Sequence, residues 1–149
     1  MADKQTSAAA RIRAVQPRPD EERHMPYAPA VNVEAPADIL FISGSTSSPL
    51  YHRHPHVAEE HRHPIDIESQ THRAMAGIKL VLDAEGLSWR HVVKVTKYLT
   101  DMRDMDGMVA VLAEYFGDWK PASTTICINA LSTPGARVEL DMIVARPRG

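Results

Sequence analysis

Five histidines crowd one proline-rich stretch of this chain: His52, His54, His56, His61 and His63. Imidazoles at His-x-His spacing can gather around Zn²⁺, because a neutral ring nitrogen is a common zinc ligand. Three interpretations stay open: a metal site supplemented by Glu59 or Glu60, a polar loop facing solvent or a neighbouring chain, and a loop closing over a cleft. In the third, one histidine would donate a proton or bind an anion.

Acids and hydroxyls alternate with apolar residues in two predicted strands near the C-terminus, residues 124–130 and 138–144. Because successive strand side chains point to opposite faces, the sequence predicts one apolar face for the helices and one polar face. The polar face is predicted to carry Ser123, Thr125, Cys127, Asn129, Glu139 and Asp141. Asp141 could position or deprotonate water, whereas Glu139 fits an ordinary exposed acid. The single cysteine is predicted to be a small core or interface residue rather than a nucleophile.

The remaining pattern predicts the elements that position these residues. Residues 1–25 form an arm without sustained periodicity, followed by a domain at 26–149. A buried strand ends at Ser43, one helix runs from an Asp66 N-cap to Gly86, and a second runs from Asp104 to Gly117. A strand at residues 92–99 follows the first helix in the sequence and precedes the second. The turn at 132–135 joins the last two strands as a hairpin. One further strand is expected before residue 39. The fold class is therefore α+β.

Composition excludes several classes of function. The chain has 149 residues, 44% of them hydrophobic and 24% charged, and a net charge of −2. That length fits one domain, and the absence of a basic cluster disfavours nucleic-acid binding. No apolar stretch approaches the roughly 20 residues that span a bilayer. The first residues lack a secretory signal pattern, so a cytoplasmic protein is expected.

Seven segments, in consistent order over residues 25–146, resemble the RidA (YjgF) family. They are the Pro-Tyr ending at Tyr27, the Ser-Gly at residues 43–44, the acidic helix start with Gln at 66–71, the strand and Asp-Met at 92–102, the Tyr-Phe at 115–116, the Pro-Ala at 121–122, and the acidic strand at 138–141. The resemblance implies a chorismate-mutase-like mixed sheet with two helices on one face. It also implies a homotrimer with active clefts between subunits.

Relatives of this kind hydrolyse small enamines and imines to a keto acid and ammonia with neither metal nor organic cofactor. The resemblance therefore implies a small-molecule substrate, a self-assembled trimer and no cofactor. Carried over by position, it assigns Tyr27, Ser43 and Asp141 to catalysis, and Ser123 and Thr125 to substrate binding. The run at residues 43–48 also resembles the 2-aminomuconate deaminase branch of the family.

One position departs from the family pattern. Ser123 stands where relatives carry a carboxylate-binding arginine, so one neutral donor replaces a charged bidentate fork. Either another cation, such as Arg137, Arg53 or Arg62, replaces that fork, or the ligand differs. His54 is a further candidate for substrate binding. Two alternatives to a deaminase follow: a binding trimer that lost the chemistry, and a metal-assisted hydrolase built on the histidine loop.

Overall fold

The computed structural model describes residues 11–20 and 25–148. In chain order, these residues form the strands β1 (Ile12–Val15), β2 (Ala30–Val33), β3 (Ala37–Ser45), β4 (Val92–Leu99), β5 (Ala122–Cys127) and β6 (Val138–Pro147), and the helices α1 (Ile67–Ala84) and α2 (Met105–Phe116). Short 3₁₀ turns precede β4 and α2, and another lies at Ala58–His61 in the histidine loop. The predicted α+β class with two helices is confirmed.

The main sheet has the strand order β3-β6-β4-β5. β6 is antiparallel to both of its neighbours, while β5 runs parallel to β4. The predicted hairpin between the last two strands is therefore wrong, because β4 lies between them. α2 carries the chain back across the sheet, so that β5 lies parallel beside β4. β6 then pairs with the other edge of β4 rather than with β5.

A two-stranded ribbon, β1 paired antiparallel with β2, lies outside the main sheet. Ile12 of β1 is only 3% exposed and packs in a small core with Trp119 and Ala145. The described part of the predicted arm thus contains a strand that the sequence pattern did not indicate. Two strands precede β3 where one was expected. The rest of the arm, residues 1–10 and 21–24, lies outside the described residues, and the domain boundary stays a prediction.

Local signals define the helix ends. The Asp66 carboxylate accepts a hydrogen bond from the Ser69 backbone N–H at 2.7 Å, as predicted for an N-cap. Gly86 and Gly117 both adopt positive φ after their helices, where residues with a Cβ are disfavoured. Asp104 lies at the N-cap position of α2, where that helix was predicted to begin, but its side chain makes no cap hydrogen bond. Its carboxylate lies instead 3.1 Å from the Arg137 guanidinium.

Both helices pack on one face of the main sheet. Their apolar side chains meet the inward residues of β6, Val138, Leu140 and Met142, all almost fully buried. The other face keeps large apolar side chains in contact with solvent: Phe41 is 75% exposed, and Ile39 and Ile126 are also exposed. No helix in the described part of the chain is long and apolar enough to cross a bilayer.

Candidate functional site

The strand register decides which candidate residues can meet. Ser123 of β5 pairs with Val95, and Asp141 of β6 pairs with Thr96, the next residue along β4. Paired residues point to the same face and successive residues to opposite faces. Ser123 therefore lies on the helix side of the sheet and Asp141 on the open side. Thr125 pairs with Lys97 and shares the face of Ser123.

The prediction of one continuous polar face is thus wrong. Alternation along β5 places Ser123, Thr125 and Cys127 together, but this set faces the helices rather than the side of Glu139 and Asp141. Cys127 is exposed at the end of the edge strand, so the prediction of a core residue is also wrong. A place for Cys127 in an interface stays a prediction.

Ser123 lines a small cavity of about 70 Å³ between β4, β5 and α2. Its walls include Val109 and Phe116 of α2, and its polar lining includes Lys97. Lys97 is only 5% exposed. Burial, followed by repulsion from Lys94, lowers its pKa. A cation thus lies beside the position where the resemblance expects an arginine.

On the opposite face, two carboxylates lie near the Ser-Gly segment. The bulge between Ile42 and Ser45 brings Gly44 against Glu139, and a Cβ at Gly44 would overlap that carboxylate. Burial, followed by repulsion from Asp141, raises the pKa of Glu139. Interaction with Asp141, through hydrogen bonding and then charge, raises the pKa of Tyr98. The open face therefore holds two acids in different environments.

Tyr27 and Ser43 reach the surface at different places. Tyr27 is 37% exposed and precedes Ala28, whose backbone N–H donates to the Pro121 carbonyl at 3.3 Å. This contact fixes Tyr27 near the start of β5, close to the cavity that Ser123 lines. Ser43 is exposed on β3, directly before Gly44. The structure thus places Tyr27 near one half of the candidate site and Ser43 near the other.

The arginines considered as substitutes lie away from Ser123. The Arg137 guanidinium lies 3.1 Å from Asp104 at the start of α2, and Arg53 makes a 2.9 Å ion pair with Glu60 inside the histidine loop. Arg62 lines an open cavity between that loop and α1. None of the three lines the Ser123 cavity, whereas Lys97 does.

The histidine loop folds so that four imidazoles meet. The rings of His52, His54, His56 and His61 form contacts with centroids 4.5–5.2 Å apart. Burial, followed by repulsion from the neighbouring imidazoles, lowers the pKa of His56. A cavity of about 110 Å³ is lined by three of these rings, by Gly44 and by Glu139. The loop therefore lies beside Glu139, one of the two carboxylates of the open face.

His63 has a different role from the other four. One of its ring nitrogens contacts the Ser47 hydroxyl, and the other lies 2.9 Å from the Thr133 hydroxyl. Gln70 holds the same region: its amide donates to the Pro64 and Gly135 carbonyls at 2.8 and 2.9 Å. These bonds tie the loop to the turn before β6.

Sequence reasoning missed Lys97 and undervalued Glu139. Lys97 lies two residues from both Val95 and Leu99 on β4, so period two already places it with them on the inward face, where a lysine is unusual. Glu139 was interpreted as an exposed acid, but it is half-buried against Gly44. Only the pairing of β3 with β6 brings that glycine and that carboxylate together.

Comparison with known proteins agrees with this architecture. The family model described as Endoribonuclease L-PSP matches residues 19–146. Protein DfrA of Myxococcus xanthus is 37% identical over 118 residues, which cover 79% of this chain and 83% of that protein. A RutC family protein of Pyrococcus horikoshii is 46% identical over 66 residues, covering 44% of this chain and about half, 52%, of the relative.

The fold also matches a solved structure. The YyfB protein of Yersinia pestis, from the conserved Rid protein family, superposes with a TM-score of 0.71 at 22% identity. The match covers 90% of this chain and 98% of that one. With the family model covering most of the sequence, these matches confirm the resemblance at the level of the family: the chain belongs to the Endoribonuclease L-PSP family, which includes the RidA, YjgF and RutC proteins.

Proposed function

We propose that this protein is a deaminase that hydrolyses a small enamine or imine acid to an oxo acid and ammonia in clefts between copies of the chain. The observation that carries the proposal is the buried Lys97 in the cavity that Ser123 lines. A substrate carboxylate there would meet a cation in low-dielectric surroundings, where charge pairing is stronger than in water. Lys97 would thus replace the arginine that the family pattern expects.

The cleft would need a second chain. Asp141 and Ser123 lie on opposite faces of one sheet, so a single copy cannot bring both to one substrate molecule. The open face carries exposed Phe41, Ile39 and Ile126, and exposed apolar groups of this kind favour association. We propose a homotrimer in which the open face of one copy covers the edge near β5 of the next.

The two acids of the open face suit hydrolysis of a C=N bond. An enamine first takes up a proton at carbon and loses one from nitrogen to give the imine. Asp141 would then accept a proton from water while the water oxygen adds to the imine carbon. Glu139, whose raised pKa favours its protonated form, would supply a proton to the imine nitrogen, which becomes an amine. Asp141 would then pass its proton to that amine, and the added hydroxyl group would give its proton to the Glu139 carboxylate as the C–N bond breaks. Ammonia leaves, the carbon keeps its oxygen as a carbonyl group, and both acids return to their starting states.

The test uses two substrates of the proposed class. Ammonia release is measured with 2-aminoacrylate generated in situ and with 2-aminomuconate, the substrate suggested by the segment at residues 43–48. Acceleration of either reaction supports the proposal. The absence of acceleration with both, together with a saturable rise in melting temperature on adding the stable oxo-acid products, would replace it with a non-catalytic binding protein.

The variant Lys97→Met tests whether Lys97 binds the substrate carboxylate. A charge-assisted bond is worth about 1.5–3 kcal/mol, so its loss predicts a KM increase of roughly 10- to 150-fold with a smaller change in kcat. Lys97→Arg keeps the charge and is expected to recover part of the affinity. An unchanged KM in Lys97→Met would remove Lys97 from the site while leaving the deaminase activity itself to the substrate assay.

A further inference from the structure

Three of the clustered imidazoles have the spacing of a metal site. The ring nitrogens that His52, His56 and His61 can offer all lie within 4.8 Å of one another. Ligand nitrogens around a tetrahedral zinc ion lie about 2.0–2.1 Å from the metal, so small side-chain rotations would bring these three into contact with one ion. His52 and His56 precede the 3₁₀ turn at Ala58–His61, and His61 ends it; the fold of the loop brings the three rings together.

The hydrogen bonds of two of these rings leave the correct nitrogen available. His52 Nδ1 lies 2.9 Å from the Pro49 carbonyl, which can only accept, so Nδ1 carries the proton and the Nε2 lone pair is free in the neutral ring. His61 Nδ1 lies 2.8 Å from the Ser48 hydroxyl. A metal-binding histidine is usually held in this way, with its other ring nitrogen donating to an oxygen.

His61 supplies the second, independent observation. Its side chain is 9% exposed, and its Nε2 is buried with no hydrogen-bond partner among the described residues. A buried polar atom without a partner costs free energy, so such an atom calls for an explanation. A metal ion bound at Nε2 would satisfy it. His63 offers the contrast within the same loop, because Ser47 and Thr133 occupy both of its nitrogens.

The oxygen ligands that the sequence suggested are engaged or directed elsewhere. Both carboxylate oxygens of Glu60 are held by Arg53, one by its backbone N–H and one by its guanidinium. Glu59 lines a different cavity, on the side of α1. The acid that shares a cavity with the three histidines is Glu139.

We propose that His52, His56 and His61 bind one divalent transition-metal ion of the zinc type, with a fourth coordination position open toward the cavity that Glu139 lines. Three neutral imidazoles with an open position are a ligand set of catalytic rather than structural zinc sites. A water molecule in that position would lie in the cavity beside Glu139. Metal binding can be tested without the deaminase proposal, although Glu139 belongs to both, and the site departs from the cofactor-free chemistry that the family resemblance implies.

The test measures metal binding directly. Protein without a polyhistidine tag is stripped with chelator and dialysed, and Zn²⁺ binding is followed by titration calorimetry and elemental analysis. One ion per chain is expected. Co²⁺ in place of zinc is expected to give the visible absorption of a four-coordinate site. Binding that does not saturate near one ion per chain would overturn the proposal.

Variants then locate the ion. His56 is exposed, so His56→Ala removes a ligand without disturbing a packed side chain, and it should weaken binding by more than the roughly 10- to 100-fold typical for loss of an outer-shell partner. Ser48→Ala should fall within that roughly 10- to 100-fold range. His72→Ala, on α1, is the control and should bind as the unmodified protein does. Equal affinity in His56→Ala and the unmodified chain would exclude this ligand set.

Discussion

Ser123 and Asp141 lie on opposite faces of one sheet, because their partners on β4, Val95 and Thr96, are consecutive residues. Under the proposed function, one chain therefore carries two half-sites. The helix-side half holds Ser123 and Lys97, and the open half holds Asp141, Glu139 and Ser43.

Replacing Asp141 by Asn should reduce ammonia release strongly, by roughly 10²- to 10⁴-fold, because the amide cannot accept the proton of the attacking water. The melting temperature should change little, since Asp141 is only partly buried at the sheet surface. Rates and thermal unfolding are measured on the same preparations. Asp83→Asn, an exposed acid of α1, is the control. Full activity in Asp141→Asn would exclude a direct role for this carboxylate.

Replacing Phe41 by Glu should dissociate the proposed homotrimer. The side chain is 75% exposed in the single chain, and a charge at that position opposes burial against another copy. Light scattering coupled to size-exclusion chromatography should show a smaller species, with parallel loss of activity. Leu80→Glu introduces the same charge at an exposed apolar residue of α1 and should leave the mass unchanged. A monomeric unmodified protein would contradict the model of a shared cleft.

Lys97 should make the free energy of unfolding depend on pH in the alkaline range. Burial lowers its pKa below the ordinary 10.5, so between the folded-state pKa and 10.5 the unfolded chain binds more protons than the folded one. The free energy of unfolding of the unmodified protein should therefore rise with pH across that interval, relative to Lys97→Met. Urea unfolding of both proteins at several pH values measures the difference.

The control for this titration is Lys79→Met, which removes an exposed lysine paired with Asp83. Its stability difference from the unmodified protein should show little pH dependence over the same interval, because an exposed pair is worth only about 0–1 kcal/mol. A pH-independent difference for Lys97→Met would mean that Lys97 titrates as an exposed lysine does.

Replacing Gln70 by Leu should destabilise the fold by about 1–3 kcal/mol, because backbone groups that Gln70 now satisfies would lose their partner. Gln70 is 1% exposed; it donates to the Pro64 and Gly135 carbonyls, and its side-chain oxygen accepts from the Arg137 N–H at 2.9 Å. Denaturant unfolding gives the change. Lys79→Leu on the same helix should cost far less, and a similar loss in both variants would contradict the role assigned to Gln70.

Local signals in the sequence were enough for several features of the fold. Period-two alternation correctly separated Leu140 and Met142 from Glu139 and Asp141 on β6, since it depends only on strand geometry. The Asp66 cap and the stop at Gly86 were also predictable, because each depends on a few neighbouring residues. Both helices and the family followed from such signals taken in order along the chain.

Only the tertiary structure decided which residues of different strands lie on the same face of the sheet. Alternation groups Ser123 with Thr125 but cannot say whether that group points to the helices, because strand pairing joins residues far apart in sequence. The insertion of β4 between β5 and β6 turned Ser123 away from Asp141 and toward Lys97. Loop folding likewise selected His52, His56 and His61 from five similar histidines, since ligand geometry depends on distances that spacing along the chain does not fix.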